Sequence, residues 1–227
     1  MTRLGKISRN TLLGIFCSLS LGTSIPAEAT KQAQIIYINK TGQGESTLNC
    51  TDEIREYPMN SFEDIHSQTP TLAFIDKNNT NSFILVYNYS KQNNSSADLA
   101  EGFNALETKS LFVMNSTFLT GSDTLQISPT SHIQISHIDS DPLKKDKYGS
   151  RFNRLRLNMQ SYSGFIDMQV WTWNQRINHW TLIQVWDSKS AYNFAMQSEG
   201  MKRIWNELFR DTASPAATAP YCYIKRD

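Results

Sequence analysis

The chain reads as an α+β protein made of two tandem βαββαβ modules, each with the ferredoxin-like order of elements. Two observations predict it. Between Gly164 and Leu208, two alternating strands run into a helix that is interrupted at Ser198-Glu199-Gly200 and resumes, and the residues around this stretch complete one βαββαβ unit over 132–226. A second hairpin, TLAFIDKNNTNSFILVYNYS, lies over the first without a gap: Asn81 with Asn178, Phe83 with Trp180, Leu85 with Leu182, Val86 with Ile183 and Tyr89 with Trp186, every pair 97 residues apart.

The second module is the more sharply written. From Trp180 the side chains alternate, with Trp180, Leu182, Gln184 and Trp186 on one face and Thr181, Ile183 and Val185 on the other, so both faces of the strand are covered. The run 166–173 behaves in the same way, and residues 174–178 supply the turn between them. After Asp187 the period changes to that of a helix, with Met201, Ile204, Trp205 and Leu208 on one stripe and Asp187-Ser188 suited to its N-cap. Upstream, residues 132–138 form a strand, and Tyr148, Phe152, Leu155, Met159 and Tyr162 fall at helical spacing, with Gly164 ending that helix. Residues 220–224 read as the closing strand.

In the first module, residues 34–39 serve as strand one. Ile54, Tyr57, Phe62 and Ile65 form a helical stripe broken by Pro58, residues 97–106 a second helix, and residues 123–127 the last strand. Residues 40–53 and 90–96 are polar insertions. The chain thus divides into 1–29, 30–130 and 131–227. Each module leaves one sheet face uncovered, so the two are expected to pack sheet to sheet as a pseudo-dimer within one chain.

Residues 1–29 read as a cleaved secretory signal peptide: Arg3, Lys6 and Arg9, then an apolar run over 12–21, then Ala27-Glu28-Ala29 before Thr30. That run is too short to span a bilayer, so no stable membrane insertion is expected and the protein is placed outside the cytosol, secreted or periplasmic. Without Arg3, Lys6, Arg9 and Glu28, the 22 basic and 21 acidic residues become 19 and 20, a balance that points to no nucleic acid or other strongly charged partner. Cys50 and Cys222 remain, either as a disulfide or as two separate buried thiols, and too few Cys and His stand at ligand spacing for a structural zinc site. The sequons at Asn78, Asn88 and Asn115 read as ordinary loop composition.

Gly164-Phe165, the IQVW of 183–186, Ser188-Lys189, Ala191-Tyr192 and the broken helix ending MKRIW resemble the antibiotic-biosynthesis-monooxygenase (ABM) domain of the dimeric α/β-barrel superfamily, above all its haem-degrading members. The likeness is clear over 132–226 and degenerate over 34–130. It implies an intramolecular dimeric α/β barrel with a pocket between sheet and broken helix. The haem-degrading relatives use a strand-one Asn, a Trp at the end of strand three and a His on the second part of the helix. Trp186 matches the Trp; the Asn position falls near His137 in the second module and at Asn39 in the first; the His position holds Trp205, whose indole cannot coordinate iron.

The candidate catalytic residues are therefore Trp186, His137 and Gln184. The candidate ligand-binding residues are Asn39, Trp171, Trp180, Tyr192 and Trp205, with a small apolar or aromatic molecule as ligand. Packing is the competing role for Trp186 and the other aromatics. No metal site is expected, and haem is the one cofactor the resemblance admits. The leading functional expectation is an exported oxidoreductase that oxygenates a flat aromatic substrate whose own anion reduces oxygen. The alternatives are a non-catalytic haem- or small-ligand-binding protein and a structural interaction module.

Overall fold

A computed structural model describes residues 31–40, 71–89, 108–128, 130–212 and 217–224. They form eight strands: β1 (Gln32–Lys40), β2 (Leu72–Asp76), β3 (Asn79–Tyr89), β4 (Thr108–Gly121), β5 (His132–Asp139), β6 (Phe165–Trp173), β7 (His179–Trp186) and β8 (Ala217–Tyr223). Three α-helices accompany them, α1 (Tyr148–Met159), α2 (Lys189–Gln197) and α3 (Glu199–Phe209), with a 3₁₀ turn at Pro142–Lys147.

The strands close into one antiparallel barrel in the order β1-β3-β2-β8-β5-β7-β6-β4. Each half has its fourth, first, third and second strands side by side, as a ferredoxin-like sheet requires. The two sheets do more than face one another. Phe74–Asp76 of β2 pair with Tyr221–Tyr223 of β8, and Ser116–Gly121 of β4 pair with Gln169–Trp173 of β6, so edge-to-edge bonding joins them at both seams. A lone four-stranded sheet has two edges of unpaired amides and carbonyls, and closure pairs each edge over part of its length.

Alternation along the strands then creates two cores. Ala33, Ile35, Phe74, Ile84, Val86, Met114, Ile133, Ile135, Trp171, Ile183 and Val185 fill the barrel interior. On the outer face of the second half, Met168, Val170, Trp180, Leu182 and Trp186 lie beneath the helices, meeting Tyr148, Phe152, Leu155 and Met159 of α1. Asp211, just after α3, ties this layer together: Arg151 and Lys144 each bond its carboxylate at 2.6 Å and hold it down to about pKa 2.

Three expectations need correction. The last strand of the first half is Thr108–Gly121, not 123–127; its aromatic and β-branched run FVMNSTFLT is ordinary strand sequence, while Leu125 and Ile127, which imitated alternation, pack against the barrel interior as irregular chain. Helix α1 stops at Met159, so Tyr162 lies beyond it. Gly164 is not its cap: at φ +83° it enters β6, and its carbonyl accepts from Asp187 N at 2.8 Å. The expected leader, the helices at 54–65 and 97–106, and Cys50 lie outside the described residues. Cys222 is disulfide-bonded, and its partner is also outside them.

Gly121 sits on the β4–β6 seam at φ +125°, where a Cβ would come within 2.1 Å of the Met168 carbonyl oxygen. Backbone cannot yield as a side chain would, so Gly121→Ala should lose at least about 2 kcal/mol in urea unfolding. Gly149→Ala, in α1 with nothing within 4 Å of its Cβ, should be neutral or gain up to about 1 kcal/mol.

Candidate functional site

Two neighbouring strands and one helix build a site on the outer face of the second half. In the β5–β7 register His132 opposes Trp186 and Gln134 opposes Gln184, so four large side chains share one patch of sheet. Helix α2 crosses above it. Tyr192 stands 5.0 Å from the His132 ring and 5.9 Å from Trp186, and Phe165 meets the far side of Trp186 edge-on at 5.2 Å. The helix break fixes this roof: Ser198 has an extended backbone (ψ 143°), its hydroxyl accepts from Met201 N and donates to Ala195 O, and Tyr162 OH lies 2.6 Å from it.

The polar atoms of the patch are only half satisfied. Trp186 Nε1 donates to Gln184 Oε1 at 3.4 Å. Gln184 Nε2 and His132 Nε2 are buried and have no hydrogen-bond partner among the described residues. Gln134 lies beside the His132 ring, and Nε2 is the ring nitrogen left buried without a partner. Burial, with Lys77 and Lys189 nearby, lowers its pKa and keeps the ring neutral near pH 7; burial likewise raises the Tyr192 phenol. A neutral imidazole can accept a proton, and an unused amide N–H can hold a developing negative oxygen.

The structure brings Trp186, Gln184 and Tyr192 together but separates His137 from them. His137 opposes Thr181, on the face of Ile183 and Val185, so its ring points into the barrel. There Tyr37 OH lies 3.4 Å from His137 Nδ1 and 3.1 Å from Thr181 Oγ1. Asn39 is also on the inner face and accepts from the Ser82 hydroxyl. Trp171 is interior core, its Nε1 donating to Gln169 Oε1 at 3.2 Å. Trp180 stacks on Tyr148 of α1 at 4.5 Å, and Trp205 stacks on Phe209 and donates to Met196 Sδ, so both pack between elements.

Register explains the misplacement. Ile84 and Thr181 are equivalent at the 97-residue offset, and they oppose Tyr37 and His137; Ser82 and His179 are likewise equivalent and oppose Asn39 and Asp139. His137 is thus the counterpart of Tyr37, and Asn39 that of Asp139, two residues from the sequence alignment. His132, which sequence reasoning treated only as a strand start, carries the imidazole of the outer site. Its even spacing from Gln134 was the available signal; its place opposite Trp186 needed the register. The residues do not fit haem as the haem-degrading relatives hold it: the helix position carries an indole, which cannot coordinate iron and is already engaged with Met196.

Residues 132–206 match the sequence profile of the antibiotic biosynthesis monooxygenase family. No curated protein sequence is significantly similar to the chain. Among solved structures, a candidate monooxygenase from Fusobacterium nucleatum is similar with TM-score 0.63 and 12% identity over 87% of this chain and 94% of its own. An anthrone oxidase-like protein gives 0.61 and 12% over 87% and 93%. A candidate monooxygenase from Lactobacillus acidophilus gives 0.59 and 15% over 86% and 95%. These likenesses span both halves and establish the fold.

Burial, with His179 adding to it against the opposing pull of Asp139, pushes His137 down to about 4. Between about pH 6.5 and that value the unfolded chain binds a proton that the folded chain refuses, so this contribution to stability is complete above about pH 6.5 and is lost as pH falls toward 4. The span amounts to about 3 kcal/mol. Urea unfolding across this window should show the loss in the parent and a shallower dependence in His137→Asn.

Proposed function

We propose that this chain is an oxygenase of the ABM type, exported by the leader at 1–29 to the periplasm or cell exterior, that acts on a flat aromatic substrate in the pocket between the second-half sheet and helices α2 and α3. Two buried nitrogens, Gln184 Nε2 and His132 Nε2, lie on this face, on neighbouring strands beside the rings of Trp186 and Tyr192, without partners among the described residues, and this observation carries the reading. A planar ligand lying along the rings that offers an acidic C–H or O–H to His132 and a carbonyl or phenol oxygen to Gln184 satisfies both. The family match at 132–206 covers every residue of this pocket.

The chemistry follows from the donors and acceptors. Neutral His132 takes the acidic proton at Nε2, and Gln184 donates to the oxygen on which the charge settles. The resulting carbanion or enolate is electron-rich and reduces dioxygen itself. For an anthrone, whose class is suggested by the name of one structural relative, the ring methylene and one O₂ become a ring carbonyl and water, so one oxygen atom enters the product and both methylene hydrogens leave in the water. Trp186 and Tyr192 confine the ring, and Trp186 also orients Gln184 through its N–H. Residues 131–227 would form the reacting half and 30–130 the half that closes the barrel.

Anthrone, supplied to the protein in buffer containing a chelator, should consume one O₂ per carbonyl formed, with one ¹⁸O from labelled gas in the product. His132→Ala should lower the rate by about 10²–10⁴-fold, Gln184→Leu by about tenfold, and Trp186→Phe should reduce it while leaving the fold intact. His137→Ala should leave it unchanged. Turnover that survives in His132→Ala would remove the assigned base. Binding of aromatic probes without any oxygen uptake above the spontaneous rate would make this a ligand-binding protein.

A further inference from the structure

One end of the barrel interior carries a feature that the outer pocket does not use. Five aromatic side chains from five strands form a closed ring there, each touching the next. Tyr37 of β1 lies 6.3 Å from Phe112 of β4, Phe112 lies 5.2 Å from Trp173 of β6, Trp173 lies 5.8 Å from His179 of β7, His179 lies 5.8 Å from His137 of β5, and His137 returns to Tyr37 at 5.0 Å. Three of the five contacts are edge-on, at 70°, 78° and 81°. Neighbours inclined at such angles can turn their faces toward a common centre, as the walls of an aromatic cage do.

Size and charge narrow what such a ring can take. A pentagon with these sides has its centre no more than about 4.8 Å from the ring centroids, inside the roughly 6 Å over which a cation is attracted to an aromatic face. The Asp139 carboxylate stands at the rim, 2.8 Å from His179 Nδ1 and 3.4 Å from Arg176. Phe112 is 46% exposed and forms the side open to solvent. Trp173 Nε1 and, opposite it in the β4–β6 register, Ser116 Oγ are buried without a partner among the described residues, and Ser116 is fully buried. An apolar plug would have no use for either donor.

We propose that the aromatic ring of Tyr37, Phe112, Trp173, His179 and His137 is a second binding site, for a small methylated ammonium compound that carries a hydroxyl or carboxylate oxygen. The onium group sits among the rings, and its oxygen accepts from Trp173 Nε1. A compact cation with no N–H of its own needs no hydrogen-bond acceptor from the walls, which suits rings whose polar atoms are engaged elsewhere, as Tyr37 OH is with Thr181 and His179 with Asp139. The site is independent of the oxygenase reading: it lies on the inner face of the sheet, and the reacting pocket lies on the outer face.

Isothermal titration of the whole chain with choline, glycine betaine and tetramethylammonium tests this, with 3,3-dimethyl-1-butanol as the uncharged isostere of choline. Saturable binding of the three cations and none of the isostere is expected. Phe112→Ala, at an exposed position, should weaken choline binding by several-fold to about thirtyfold. Trp173→Phe keeps a wall and removes the N–H, so it should erase the advantage of choline and betaine over tetramethylammonium. His132→Ala should change nothing. Equal binding of the isostere, unchanged affinity in a folded Phe112→Ala variant, or no saturable heat with any of the three cations would each overturn the proposal.

Discussion

Closure of the sheet is the constraint on which everything else in this protein rests. A four-stranded half exposes two rows of unpaired backbone groups, and each half here supplies the complement of the other: β2 bonds to β8 and β4 to β6. The seams are unequal. The β2–β8 seam is three residues long on each strand, whereas β4–β6 runs from Ser116 to Gly121 through an irregularity between Phe118 and Thr120. Gly121 ends the longer seam at a place where backbone passes too close for any Cβ. Once the seams are made, every strand has an inside and an outside, and the side of the sheet on which a residue falls decides what chemistry is open to it.

That division separates the two histidines of β5. His132 and His137 are five positions apart, an odd number, and so they project to opposite faces. His132 meets Trp186 and Tyr192 under the helices, with one ring nitrogen unused; His137 enters the barrel, where burial holds it neutral beside Tyr37 and Thr181. Neither position alone would identify a site. What distinguishes His132 is that Gln184, on the same face of the neighbouring strand, also keeps a buried amide nitrogen without a partner among the described residues.

Joining both halves in one chain has a physical consequence along the barrel axis. In a dimer of identical subunits, the positions of Tyr37 and His137 would carry the same side chain and would meet as a like pair. Here a phenol faces an imidazole, and at the next layer Asn39 on one side corresponds to Asp139 on the other. The asymmetry puts hydrogen-bonding partners where symmetry would place two equal donors or two like charges, and it leaves the carboxylate of Asp139 on one side of the aromatic ring only. The matched family profile, over residues 132–206, lies wholly within the second half.

Much of this was written locally. Alternation over 180–186, the turn at 174–178, the helical stripe of α1 and the break at Ser198 are properties of a few adjacent residues, so the sequence alone sufficed for the second-half strands and helices and for the fold class. Trp186, Gln184 and Tyr192, expected from the sequence as site residues, lie on one outer patch of the second half. The tertiary structure decided the rest. Which residues of β5 oppose which residues of β7, whether the sheets merely face or close edge to edge, and on which side His137 and Asn39 emerge all depend on register between segments distant in the chain, and a shift of one residue reverses every side chain on a strand. Local pattern fixes period, and long-range hydrogen bonding fixes phase; His132 rather than His137 stands in the outer pocket for that reason.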